Sequence, residues 1–151
     1  MLKKRSLWLL AVAVSIMVAT LIIYLSSQPS IESYELSSGL AACILAQIRG
    51  IFPNLALNSV DFFLRKTAHF SLYFILGCSL TGVFGRQRKL PPVLLAIFVG
   101  TCFAASDELH QMLSAGRNAS VKDVMLDTCG VAVGGFLTYG AAKLLRKQKI
   151  K

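Results

Sequence analysis

A chain of 151 residues suffices for one compact soluble domain, or for about four to five membrane spans at roughly 20 apolar residues each. Apolar residues make up 55% and charged residues only 15%. An average soluble domain holds about 25% charged residues, so this balance excludes a disordered chain and argues against a soluble fold. The net charge of +9 invites a nucleic-acid reading, but the basic residues gather at the ends of apolar runs. There they serve as topology anchors, and no nucleic-acid partner is implied.

The first apolar run, residues 7–25, carries no formal charge and follows Lys3, Lys4 and Arg5. Its length matches the hydrocarbon core, and the basic flank predicts a cytoplasmic N-terminus. A cleaved leader would have a shorter apolar stretch and a small-residue cleavage site. Here Tyr24-Leu25-Ser26-Ser27-Gln28-Pro29 follows, which predicts a retained span. Leu40-Ala41-Ala42-Cys43 resembles a lipoprotein cleavage box, but a polar segment with Glu32 and Glu35 separates it from the apolar run. In the long connection 26–58, Leu36, Leu40, Ile44, Ile48 and Ile51 recur at spacings of four and three. That stripe predicts a short amphipathic helix, on the membrane surface or packed against the bundle.

The second run covers 67–84 and is followed by Arg86, Arg88 and Lys89; the third covers 90–106, with Pro91 and Pro92 suited to a first helical turn. The fourth covers 124–142 and ends in Lys143, Arg146, Lys147, Lys149 and Lys151. The expected fold is all-α: one membrane domain over 1–151, with four transmembrane helices and a short outer amphipathic helix. With the N-terminus inside, the cytoplasmic segments hold 11 of the 16 basic residues, while all seven acids and both histidines fall outside. Both termini are therefore expected in the cytoplasm. Cys43, Cys78, Cys102 and Cys129 form no C-x-x-C pair and read as small packing residues.

Chemistry-bearing residues concentrate at the outer ends of spans two to four. Asp61, Arg65, His69, Tyr73 and Gly77 are spaced by four and share one helix face. Asn58 and Asp61 have capping-box spacing, so Asp61 reads first as a cap partner. Arg65 and Lys66 stand on the outer side, against the positive-inside bias, which points to an anionic partner. His69 opens the apolar run, and an ionisable group at that depth is a functional candidate. Asp107, Glu108, His110 and Gln111 close the third span. They can hold a divalent cation, act as acid and base, or pair with Arg65, Lys66 or Arg117. Ser120 and Asp123 again have cap spacing, whereas Asp127 lies one turn deeper and is the stronger functional candidate. Gly130 and Gly134 predict close helix approach.

Taken together, Ser26-Ser27-Gln28-Pro29, Arg65-Lys66-x-x-His69-x-x-x-Tyr73-x-x-Leu76-Gly77 and Ser106-Asp107-Glu108-x-His110-Gln111 resemble the VanZ-like family. Gly116-Arg117 followed by Asp123, Asp127 and Gly130 extends the resemblance over nearly the whole chain. It implies a small bacterial integral membrane protein, in a family whose named member is linked to resistance to the glycopeptide teicoplanin.

Two functional expectations follow. In the first, Arg65, Lys66, His69, Glu108, Gln111 and Arg117 bind a membrane lipid, a cell-wall precursor or a glycopeptide at an outer polar site. In the second, the chain is a membrane-embedded hydrolase of a lipid-linked anionic substrate, with His69, Asp107, Glu108, His110 and Asp127 as catalytic candidates. The sequence names no cofactor and no particular metal. It also lacks H-E-x-x-H and G-x-S-x-G, which places binding ahead of hydrolysis. A bundle whose polar residues only neutralise one another ranks last.

Overall fold

The computed structural model describes residues 2–87, 90–113 and 119–148. The described residues form five helices and no strand: α1 (Leu2–Ser26), α2 (Ser30–Ile48), α3 (Leu57–Phe84), α4 (Pro92–Gln111) and α5 (Val121–Gln148). Four of them, all but α2, are long and apolar enough to cross a membrane.

Helix boundaries differ from the apolar runs for physical reasons. Helix α3 starts at Leu57, ten residues ahead of its apolar run, because residues 57–66 are themselves amphipathic and turn Val60 and Asp61 inward. Its N-cap is Ala56 and no side chain caps it, so the predicted Asn58–Asp61 box does not form. Helix α5 continues to Gln148, carrying Lys143, Arg146 and Lys147 beyond its apolar run. Twenty-eight residues rise about 42 Å against a hydrocarbon core of about 30 Å, so both helices have turns to spare. The extra turns lie at opposite ends. Those of α3 carry the polar face 57–66, and those of α5 carry basic residues into water. Helix α4 begins with Pro92 inside its first turn, where the missing N–H costs no hydrogen bond.

Hydrogen bonds between helices fix the directions. Trp8 Nε1 donates to the Val83 carbonyl at 3.2 Å, and the Ser15 and Ser79 hydroxyls meet at 2.8 Å, so α1 runs antiparallel to α3. The Arg86 guanidinium stacks 5.0 Å from the Trp8 ring centre at the same end. At the far end of α1, Ser26 meets Asp107 near the end of α4. Helices α1 and α4 therefore run one way, and α3 and α5 the other. Glu32, Glu35, Asp61, Asp107, Glu108, Asp123 and Asp127 all belong to the end where α3 and α5 begin, called here the acidic end.

The closest packing joins α3 and α5, which are parallel and not consecutive. A Cβ on Gly77 would sit 2.2 Å from the Val131 carbonyl oxygen, one on Gly130 2.7 Å from that of Phe70, and one on Gly134 2.1 Å from that of Phe74. Only glycine permits this backbone approach. Around the seam Val18, Ile22, Tyr73, Leu76, Ala104 and Val131 form the main core. Exposed Leu9, Ile16, Phe98, Phe136 and Leu137 are among the large apolar side chains turned outward, as lipid-facing helices require.

Helix α2 packs on the start of α3 through Ala41, Leu45 and Val60. The stripe that predicted this helix is offset from that contact: Leu36, Leu40 and Ile44 remain exposed. Helix α2 thus packs against the bundle through α3, as one of the two predicted placements has it, with its apolar stripe offset from that contact. All four cysteines are free.

Candidate functional site

At the acidic end, parts of all five helices and the α1–α2 turn enclose a cavity of about 470 Å³. Its apolar lining includes Leu25, Leu36, Leu40, Phe62, Leu64 and Leu126. Its polar lining is Arg65, Lys66 and His69 from α3, Glu108 and Gln111 from α4, Asp123 and Asp127 from α5, and Gln28, Glu32, Ser33 and Ser37 from α2 and the turn before it. Because α3 begins ten residues before its apolar run, its polar face rises beside α2, where Arg65 and Lys66 can line a chamber with acids on two neighbours.

Each cation of this lining already has an acid. Arg65 Nη2 lies 2.9 Å from Asp61 Oδ2, one helical turn back. Asp61 is 1% exposed and also accepts from the Ser37 hydroxyl of α2, while Arg65 itself is 41% exposed toward the cavity. Lys66 Nζ reaches across to Asp123 Oδ1 at 2.5 Å. Both acids had been expected to cap helices. Each is a cation's partner: Asp61 of Arg65 one turn on in the same helix, and Asp123 of Lys66 from the neighbouring α3.

The start of α5 is satisfied from another helix. Glu108, 4% exposed, accepts the backbone N–H of Ser120 at Oε1, 2.5 Å away. A carboxylate here meets the positive end of the helix and one of its orphan donors.

Deeper, Asp107 collects three donors on one oxygen. Ser26 Oγ donates to Oδ2 at 2.9 Å, Gln111 Nε2 at 3.2 Å and the Tyr73 hydroxyl at 3.3 Å. Tyr73 is fully buried and Asp107 nearly so. The other oxygen, Oδ1, is buried without a hydrogen-bond partner. Asp127, 2% exposed, likewise has a bare Oδ1, and its Oδ2 stands 3.8 Å from His69 Nδ1. That separation exceeds a hydrogen bond.

Of the residues proposed from sequence, Arg65, Lys66, His69, Glu108, Gln111 and Asp127 line the cavity, and Asp107 lies behind Gln111. His110 does not line it; its Nε2 turns to Ser27 Oγ at 3.0 Å, at the end of α1. Arg117 lies outside the described residues. Sequence reasoning passed over Ser26, Ser37, Asp61, Tyr73 and Asp123 as site residues. Ser26 and Tyr73 stand inside the quoted motifs, which was the available signal.

Four spanning helices around a mixed polar and apolar chamber define a small multi-pass membrane protein. A family model described as VanZ/LLP1 matches residues 10–145, and the chain belongs to that family. No curated protein and no solved structure matches it significantly.

Proposed function

We propose that this is a protein of the bacterial cytoplasmic membrane and cell envelope, with both termini in the cytoplasm, whose outward-facing cavity binds an amphiphile with an ionic headgroup. The candidates are a lipid, a lipid-linked cell-wall precursor or a lipophilic glycopeptide such as teicoplanin, and binding alters glycopeptide susceptibility without turnover. The observation that carries the reading is one cavity lined by both aliphatic surface and paired charges. Acyl chains and headgroups need both kinds of surface. Arg65 holds a hydrogen-bonding face toward the cavity while Asp61 fixes its orientation, so an anionic group meets a preorganised guanidinium.

The test measures drug susceptibility and membrane abundance on the same cultures. Arg65→Ala and Glu108→Gln are each expected to abolish glycopeptide tolerance while membrane levels stay close to wild type. Loss of tolerance only in proportion to lost protein would reduce these residues to a structural charge network.

Orientation has its own test. In a version without native cysteines, single cysteines at Glu35, Gln87, Ala119 and Gln148 report sidedness to an impermeant thiol reagent. Positions 35 and 119 are expected to label in intact cells, and 87 and 148 only after lysis. The reverse pattern would place the cavity in the cytoplasm and sink the outer-site reading.

A further inference from the structure

Asp107 and Asp127 are 4% and 2% exposed within apolar spans, and each keeps one oxygen without any hydrogen-bond partner. Buried carboxylates at membrane depth require a counter-charge or a proton. The lysine and arginine beside them are engaged elsewhere, Arg65 with Asp61 and Lys66 with Asp123. Among the described residues, what remains beside the two acids is His69. One ligating atom from each of His69, Asp107 and Asp127 lies within 4.8 Å of the others.

We infer that His69, Asp107 and Asp127 form a binding site for a divalent transition-metal ion of the Mn²⁺ or Zn²⁺ type. The 3.8 Å gap between His69 Nδ1 and Asp127 Oδ2 is too long for a hydrogen bond. It suits two ligands of one ion, since atoms each about 2.0–2.2 Å from a metal stand at most about 4.4 Å apart. One imidazole with two carboxylates selects Mn²⁺ or Zn²⁺ over Ca²⁺, which prefers all-oxygen sites. The Ser26, Gln111 and Tyr73 donors tether Asp107 by Oδ2 and leave Oδ1 for the ion. His69 and Asp127 also line the cavity, so an ion held by three protein ligands keeps open positions toward it. A phosphate or carboxylate oxygen of the headgroup completes the coordination. That last step rests on the cavity reading above, whereas ion binding itself does not.

The test uses the full-length protein in detergent, stripped with a chelator and titrated with Mn²⁺, the free ion being followed by electron paramagnetic resonance and Zn²⁺ added as competitor. One saturable Mn²⁺ per chain is expected, displaced by Zn²⁺. His69→Gln and Asp127→Asn should weaken it at least about 10-fold while circular dichroism stays helical. His69→Cys should lose Mn²⁺ yet retain Zn²⁺, because a thiolate is a soft ligand. No saturable binding, or equal affinity in wild type and His69→Gln, overturns the site. Ion binding that persists when a short-chain phosphatidic acid fails to tighten it would retain the metal site and reject the headgroup step.

Discussion

Gly134→Ala is expected to disrupt the bundle strongly, with a loss of about 3 kcal/mol and a steep fall in membrane abundance. The added carbon would stand 2.1 Å from the Phe74 carbonyl oxygen, and a backbone group cannot step aside as a flexible side chain can. Helices α3 and α5 would have to separate by more than an ångström, carrying His69 away from Asp127. Gly82→Ala is the matched control, since its nearest neighbour is the Ala11 side-chain methyl at 3.1 Å. Thermal unfolding of both variants in the same detergent, followed by circular dichroism, makes the comparison. Equal midpoints would show that the α3–α5 seam is looser than described.

Asp107→Leu should be the most damaging polar change, costing about 3–5 kcal/mol. It removes the buried acceptor shared by Ser26, Tyr73 and Gln111, and a buried donor that loses its partner costs about 1–3 kcal/mol. Asp107→Asn should cost less than about 1.5 kcal/mol, because an amide oxygen can take the same donors in the same place. Detergent melting curves of the two variants decide the matter. Similar losses for both would mean that charge, and not acceptor geometry, makes Asp107 indispensable.

How far the sequence revealed this molecule depends on which signal each residue carries. Apolar run length marks spans 7–25, 67–84, 90–106 and 124–142 because hydrocarbon thickness imposes it directly. The extra turns of α3 lie outside its apolar run, but the spacing of four that sets Asp61 and Arg65 on one helix face with His69 already extends the helix back over them. Their helicity depends on burying Val60 and Asp61 against α2, which is a tertiary effect. Capping spacing drew attention away from the pairings of Asp61 and Asp123. The three-residue spacing is a local signal, whereas their partners Arg65, Ser37 and Lys66 are set by helix faces and neighbours. Spacing of four correctly grouped Arg65, His69 and Tyr73 on one face. It carried no information that Tyr73 would reach α4 or His69 reach α5, because those meetings depend on how closely the glycines let the helices approach.

The parallel seam of α3 and α5 has a consequence for synthesis. A ribosome delivers α3 and α4 before α5, so the partners on α3 await the last span. Until that span enters, Lys66 lacks Asp123, Glu108 lacks the Ser120 amide, and the glycine-lined surface of α3 stays open to lipid. The nascent chain therefore passes through a stage with charged groups at the membrane and no intramolecular answer to them. A chain ending after α4 presents that unpaired surface permanently, which is the kind of substrate that membrane proteases and insertion chaperones retain.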